Sequence, residues 1–223
     1  MAESMIETAT VTNLFETPII IDQLPQFEAL NAGLRRAISN RRQVDAGVTK
    51  SNVLGWQSDT LMLRWGGDEA RALARHFISL CDRFTADPRP DDPARPPFLW
   101  MPDMWANVSP RDAANNYHSH PGAVWSAVYY VDDGYAGPES VGGELVFADP
   151  RMPMTRMLPL DLRYRAPDGT AYQSEHVLRP ATGRLVMFPP WLLHSVRPYL
   201  GDGERISVAM NATAYQPPAL PAG

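Results

Sequence analysis

Only one cysteine, Cys81, occurs among the 223 residues, so no internal disulfide can staple the chain. A reducing compartment is the corresponding expectation. Cys81 lies in "FISLCDRF", a stretch with helical spacing, and reads as a small buried apolar residue rather than a nucleophile. Lysine is as scarce: Lys50 stands alone, and arginine supplies the rest of the basic charge. Twenty basic against 25 acidic residues leave a formal net charge of −5 with no basic block. That excludes a surface built to track DNA or RNA phosphates, which needs clustered Lys and Arg. No apolar run approaches the roughly 18 residues of a membrane span. The N-terminal "MAESMIETATVTNLF" lacks the basic and apolar regions of a signal peptide. The expectation is a soluble cytoplasmic protein, with no membrane and no nucleic acid among its partners.

The length suits one large domain with its own core. Its front end reads as helical. "LFETPIIID" (14–22) predicts a short strand with Pro18 near its start. From Pro25 onward, Phe27, Leu30, Leu34, Ala37 and Ile38 recur at helical spacing, with Arg35, Arg36 and Asn40 on the opposite, exposed face. "GGDEARALARHFISLCDRF" (66–84) predicts a second helix. Asp68 and Glu69 open it, where the helix dipole favours them, and Leu73, Phe77, Leu80 and Phe84 form its buried stripe. "TADPRPDDPARPPF" (85–98) is too rich in proline for helix or ladder and reads as an extended surface linker.

Beyond residue 98 short β-type segments alternate with Gly, Pro and Asp turns, at 98–108, 124–131, 143–148, 174–179, 184–188, 194–197 and 205–213. This pattern predicts a mainly β sandwich or barrel braced by the helices on one face. The expected organisation is therefore a single unit over 1–223: an N-terminal strand, helices and linker over 1–97 bracing a β core over 98–215.

Of five histidines, His76 reads as a partly buried helix residue and His176 as a solvent-facing strand residue. His118 and His120 in "NYHSHPGAVWSAVYYV" are different. On a strand, residues two apart share a face, so their nitrogens can converge on one cation. A lone HxH pair is equally a polar bend before a strand. A third histidine, His194 in "GRLVMFPPWLLHSVRP", sits at the start of a later strand and strengthens the metal reading. Eleven residues on, "RISVAMN" places Arg205 and Ser207 on one strand face. Guanidinium and hydroxyl two residues apart form a fork for a carboxylate, unless Arg205 is only the exposed member of an edge strand.

The order H-x-H, "GGELVF", "GRLVMFPPWLLHSVRP", "RISVAMN" resembles the core of the Fe(II)/2-oxoglutarate-dependent oxygenases. Within them it is most similar to a bacterial group with an HxHP motif followed by "SGVYYV"-like and "DPR"-like segments. Here those are His118 to Pro121, "SAVYYV" (126–131) and "DPR" (149–151). The resemblance covers roughly residues 98–213. "NLFETPIIID" and "GWQSD" (55–59) resemble the group less specifically.

The resemblance implies a double-stranded β-helix (jelly roll, cupin-like) core and an oxygenase using Fe(II) as cofactor and 2-oxoglutarate as co-substrate. Such an enzyme consumes O2, releases succinate and CO2, and hydroxylates a C–H bond of a small molecule or amino-acid-like substrate. It implies His118 and His194 as iron ligands, and Arg205 with Ser207 as holders of the far carboxylate of 2-oxoglutarate. Position 120 departs from the wider pattern, which has Asp or Glu there to complete a two-histidine, one-carboxylate triad. Either His120 is the third ligand, or Asp149 or Glu144 supplies a carboxylate, or the iron chemistry has been lost. Histidine is not the small residue that frees a halide position, so halogenation is disfavoured. Candidate substrate contacts are Trp105, Asn107, Trp125, Tyr129 and Arg151, with "GWQSD" as a closing lid. The rival reading is a cupin-like three-histidine dioxygenase or a non-catalytic metal or small-molecule barrel without 2-oxoglutarate. A homodimer is compatible with the sequence, which does not specify the oligomeric state.

Overall fold

A computed structural model describes residues 12–88, 97–151 and 162–218. In chain order the elements are β1 (Ile20–Gln23), α1 (Phe27–Val44), β2 (Asn52–Val53), β3 (Trp56–Gln57), α2 (Met62–Trp65) and α3 (Gly67–Phe84). There follow β4 (Leu99–Ser109), β5 (Ala114–His118), β6 (Trp125–Asp132), β7 (Leu145–Ala148), β8 (Glu175–Leu178), β9 (Arg184–Phe188), β10 (His194–Val196) and β11 (Arg205–Tyr215). Two antiparallel sheets result, a larger one in the order β1-β9-β6-β11-β4-β3 and a smaller one in the order β2-β5-β10-β7-β8. This is the helix-braced β core that the sequence pattern predicts, with the double-stranded β-helix form that the resemblance implies.

Strand alternation decides which side chains meet the helices and which face the space between the sheets. On β11, Ile206, Val208, Met210 and Ala212 join Met104, Ala106 and Val108 of β4 in the main apolar core. Leu34 and Ile38 of α1 and Leu73 and Phe77 of α3 complete that core with no solvent exposure. The intervening residues of β11 and β4 face the other way, into the barrel. The eleven-residue ladder between these two strands, Arg205↔Ser109 through Tyr215↔Leu99, fixes that division for both at once.

Polar clamps set the helices on the sheet. Asn31 of α1 donates through Nδ2 to the Val131 carbonyl at 2.9 Å and accepts at Oδ1 from the Tyr129 hydroxyl at 2.6 Å. Arg35 pairs with Asp132 nearby. His76 of α3 meets the Asp22 carboxylate at 2.6 Å, which satisfies it structurally. Cys81 is buried, and burial pushes its thiol up to about 12, so it is an inert core residue.

Several expectations are corrected. The first strand pairs from Ile20, not from Leu14. Phe84 is 43% exposed because α3 ends there, and Arg83 lies over its ring. "GWQSD" is no lid: Trp56 and Gln57 form an edge strand paired with Val108 and Asn107. Ser58, next along, is fully buried, and its hydroxyl accepts from the Ala106 amide. Residues 89–96 of the expected linker lie outside the described residues. Among the described residues no helix is long and apolar enough to cross a membrane.

Replacing Tyr129 by phenylalanine leaves a buried Asn31 oxygen without its donor. The expected cost is about 1–3 kcal/mol. For a chain of this size that is a fall in Tm of roughly 2–12 °C, measurable by calorimetry.

Candidate active site

The three histidines expected to act together do meet. His194 opens β10 directly opposite His118 at the end of β5, with Phe147 of β7 on its other side. Their ring centroids are 4.3 Å apart, and those of His120 lie 5.0 Å from His118 and 5.1 Å from His194. One ligand nitrogen from each falls within 4.8 Å of the others. Small rotations would bring three such nitrogens onto one ion at about 2.1 Å.

Local structure aims two of the rings. His118 Nδ1 contacts the Asn116 carbonyl and His194 Nδ1 the Leu192 carbonyl, both at 2.8 Å. Each contact takes Nδ1 as donor, which leaves Nε2 as the lone-pair nitrogen facing the cluster. Phe188 closes one side of His194, its ring 4.7 Å away. His120 arrives differently from expectation. Strand β5 stops at His118, so the pair does not share a strand face. The amide of His120 instead donates to the Pro190 carbonyl at 2.9 Å, which pins the turn carrying it to the loop before β10. Trp105 stands beside it at 5.7 Å between rings.

Burial and mutual repulsion keep these rings neutral. His120 is pulled down to about 4, first by desolvation and then by His118. His194 falls to about 3 for the same reasons, and burial lowers His118 as well. Neutral imidazoles are the form that binds a cation.

No carboxylate joins the cluster among the described residues. Asp149 is held by Arg151 through both guanidinium contacts, at 2.8 and 2.9 Å, and by its backbone amide. Glu144 accepts from the Gly142 amide. Arg151 is thus the partner of Asp149, at the exposed rim.

Arg205 is 2% exposed, within the barrel. Its Nη2 donates to Ser109 Oγ at 3.3 Å, its guanidinium lies 6.0 Å from the Tyr130 ring, and Nε has no partner. Burial pulls its pKa below the ordinary arginine value. Gly143 makes the approach possible: with φ +77°, it lies where a Cβ would come within 3.2 Å of Arg205 Cδ. A buried guanidinium without an anion is costly, by several kcal/mol on the order of a broken buried pair. An incoming carboxylate would offset that cost. Ser207, 3% exposed, follows on the same face, level with Asn107 of β4 and Tyr130 of β6.

Trp105 and Asn107 therefore face the barrel, as expected. Trp125 and Tyr129 do not. Both belong to the helix-side core, where Trp125 Nε1 donates to Thr85 and Tyr129 to Asn31. Trp125 and Tyr129, offered as pocket contacts though aromatics in a sandwich are more often core, take the core phase of β6; Ser126, Val128 and Tyr130 hold the inner face. Tyr130 and Ser109 are the residues the sequence reading missed beside Arg205. The alternation in "SAVYYV" allowed either phase, and only the helix contacts decide it.

The three converging neutral imidazoles could hold one metal ion, and among the described residues the buried Arg205 has no carboxylate partner. Residues 103–211, a little under half of the chain, match the model of the family described as "Putative 2OG-Fe(II) oxygenase". That match supports a 2-oxoglutarate-dependent oxygenase. No curated protein matches. Among solved structures, a Pseudomonas putida prolyl-4-hydroxylase is 17% identical, covering 94% of this chain and 95% of that one, with a TM-score of 0.54. HygX from Streptomyces hygroscopicus, with nickel and 2-oxoglutarate bound, is 13% identical over 95% and 85%, with a TM-score of 0.56. A Trichoplax adhaerens prolyl hydroxylase, in complex with a hypoxia inducible factor peptide fragment, is 10% identical over 87% and 83%, at 0.57. At such identities the likeness is one of fold.

The lowered histidine pKa values have a consequence for metal-free protein. Between about pH 6.5, where unfolded imidazoles titrate, and the folded values of about 4 and 3, the unfolded chain binds more protons. The histidine contribution to stability is then fully present above pH 6.5 and falls as the pH drops through that window. Urea titrations from pH 7.5 to 5 should show this loss, and His194→Gln should flatten it.

Proposed function

We propose that this oxygenase hydroxylates an unactivated C–H bond of a small molecule or amino-acid-like substrate, with His118, His120 and His194 holding Fe(II). The overall balance is substrate C–H, 2-oxoglutarate and O2 giving alcohol, succinate and CO2. Fe(II), when bound, supplies the means of activating O2 at the expense of 2-oxoglutarate. The remaining work belongs to the chain. Arg205 takes the far carboxylate of 2-oxoglutarate, with the Ser207, Ser109 and Tyr130 hydroxyls around it as further donors. Phe147, Phe188 and Trp105 exclude water around the histidines. The imidazole Nδ1 contacts keep two ligand rings in the correct tautomer.

The observation that carries this reading is the buried Arg205 with an unpartnered Nε. Three histidines alone also suit a cupin-like dioxygenase or a binding barrel without 2-oxoglutarate. Neither gives a reason to bury a cation inside the same barrel. Arg205 and the Ala209 position opposite Trp105 lie four residues apart on β11, about 14 Å. The arginine side chain and a five-carbon diacid together fill that span. A net charge of −5 with no basic block argues against a nucleic-acid partner, and the single buried cysteine suits a reducing, cytoplasmic setting.

Arg205→Ala should weaken 2-oxoglutarate binding by about 2–5 kcal/mol, read by calorimetry on metal-loaded protein, with metal affinity retained. Unchanged 2-oxoglutarate binding would assign the anchor elsewhere.

His120 is testable separately. His120→Ala should lose Fe(II), and His120→Asp should regain it in anaerobic titrations. Asp149→Asn should keep it. Three neutral ligands leave one more positive charge at the metal than two and a carboxylate, so wild type should bind azide more readily than His120→Asp. Tighter azide binding by the His120→Asp variant would count against a coordinating His120.

A further inference from the structure

The two central strands of the larger sheet are longer than the barrel needs. β6 pairs with β11 only as far as Trp125↔Ala212, whereas β4 and β11 continue together to Leu99↔Tyr215. Their last rows project past the histidines as a two-stranded ribbon. Its helix side is covered, with Trp100 packed on the core and its Nε1 bonded to Asp82. Its inner side is not: Leu99 and Met101 are each 52% exposed and Tyr215 46%.

Between this apolar shelf and Trp105 lies one polar row, Asp103 of β4 opposite Asn211 of β11. Asn211 Oδ1 already accepts from Ser126 Oγ at 2.7 Å, which turns its amide NH2 to the pocket. Asp103 is exposed. Among the described residues the ion pairs engage Asp22, Asp45, Asp59, Asp68, Asp132, Asp149, Glu175, Asp202 and Glu204, and Asp103 takes part in none. Arg205, the buried cation inside the barrel, lies at the opposite end of the ladder. Among the described residues the Asp103 carboxylate thus has no paired counter-charge, one row from the Trp105–His120 contact, about 7 Å along the strand.

We propose that the prime substrate presents a protonated amine to Asp103 and lays an adjoining apolar segment across Leu99, Met101 and Tyr215. This rests on the oxygenase reading and adds the substrate class to it. The sense of the ladder sorts the two anionic and cationic demands. The diacid co-substrate is drawn to Arg205 at the deep end. An amine is drawn to Asp103 at the open end, and each is repelled from the other's place. The row spacing sets the oxidised carbon a few bonds from the amine rather than beside it. A substrate carrying a carboxylate at that position is rejected by Asp103, so an amino-acid-like substrate would direct its amine, not its acid, to this row.

The test uses the full chain loaded with Zn(II) and 2-oxoglutarate, which binds without turning over. Phenethylamine, 2-phenylethanol and 3-phenylpropionate are titrated and followed by ligand-observed NMR. The amine should bind at least about tenfold more tightly than the acid, with the alcohol between, as one charge-assisted contact predicts. Asp103→Asn should remove the preference, and Asp103→Lys should reverse it towards 3-phenylpropionate. The paired change Leu99→Ser with Met101→Ser should weaken amine and alcohol alike while keeping their order. Equal binding of the three probes, no saturable binding of the amine, or a preference that persists in Asp103→Asn would overturn the proposal. Calorimetry of 2-oxoglutarate on the same zinc-loaded sample separates the two levels. Intact co-substrate binding without an amine preference overturns this proposal alone. Absent co-substrate binding overturns the oxygenase reading and this proposal with it.

Discussion

The register between β4 and β11 is the constraint on which the rest depends. Eleven consecutive pairs lock the two strands, and a slip of one residue would exchange every inward and outward side chain. The apolar phase, Met104 to Val108 and Ile206 to Ala212, has only one face to occupy because α1 and α3 cover it. The polar phase is carried inward as a consequence. Burying a methionine and a valine under a helix is what delivers an arginine to the inside of a barrel, so core packing and ligand chemistry are two readings of one alternation.

That coupling explains how a costly group is tolerated. Arg205 is charged, buried and short of acceptors, with Ser109 as its hydrogen-bond acceptor and the Tyr130 ring face beside it. The three histidines bear the complementary strain, dehydrated enough to be held neutral well below their usual range. Arg205 Nε has no partner at one end of the barrel, and three imidazoles that could hold a cation converge at the other. Among the described residues several other ionic groups are arranged as surface or rim pairs, such as Asp149 with Arg151 and Arg42 with Glu204. Such pairs contribute little to stability. The energetic interest lies in the groups that lack one.

Much of this was legible in the sequence. The helix stripes and seven of the β-segments followed from apolar spacing, because long periodic segments read clearly. His194 and Arg205 stood out because histidine and arginine in otherwise apolar strand contexts need a reason. What failed was phase and short structure. "SAVYYV" is apolar on both faces, so nothing local says that Tyr129 meets Asn31 while Tyr130 meets Arg205. β5 is written in Asn, Tyr and His, and two-residue β3 carries no periodicity. Both exist because a neighbouring strand supplies hydrogen bonds. The geometry assigned to His120 was wrong in its cause though its convergence with His118 and His194 holds: a turn delivers it, not a strand.

His120 is fixed through its backbone, by the Pro190 carbonyl, and its imidazole stands beside Trp105 outside any strand ladder. A side chain there can be exchanged without disturbing a ladder or a core. His118 and His194, by contrast, are opposed in the same pair of strands, and His194 is wedged between Phe147 and Phe188. If the three histidines hold the metal as proposed, its charge is set at a corner fixed through the backbone, while the other two corners are kept by strand pairing.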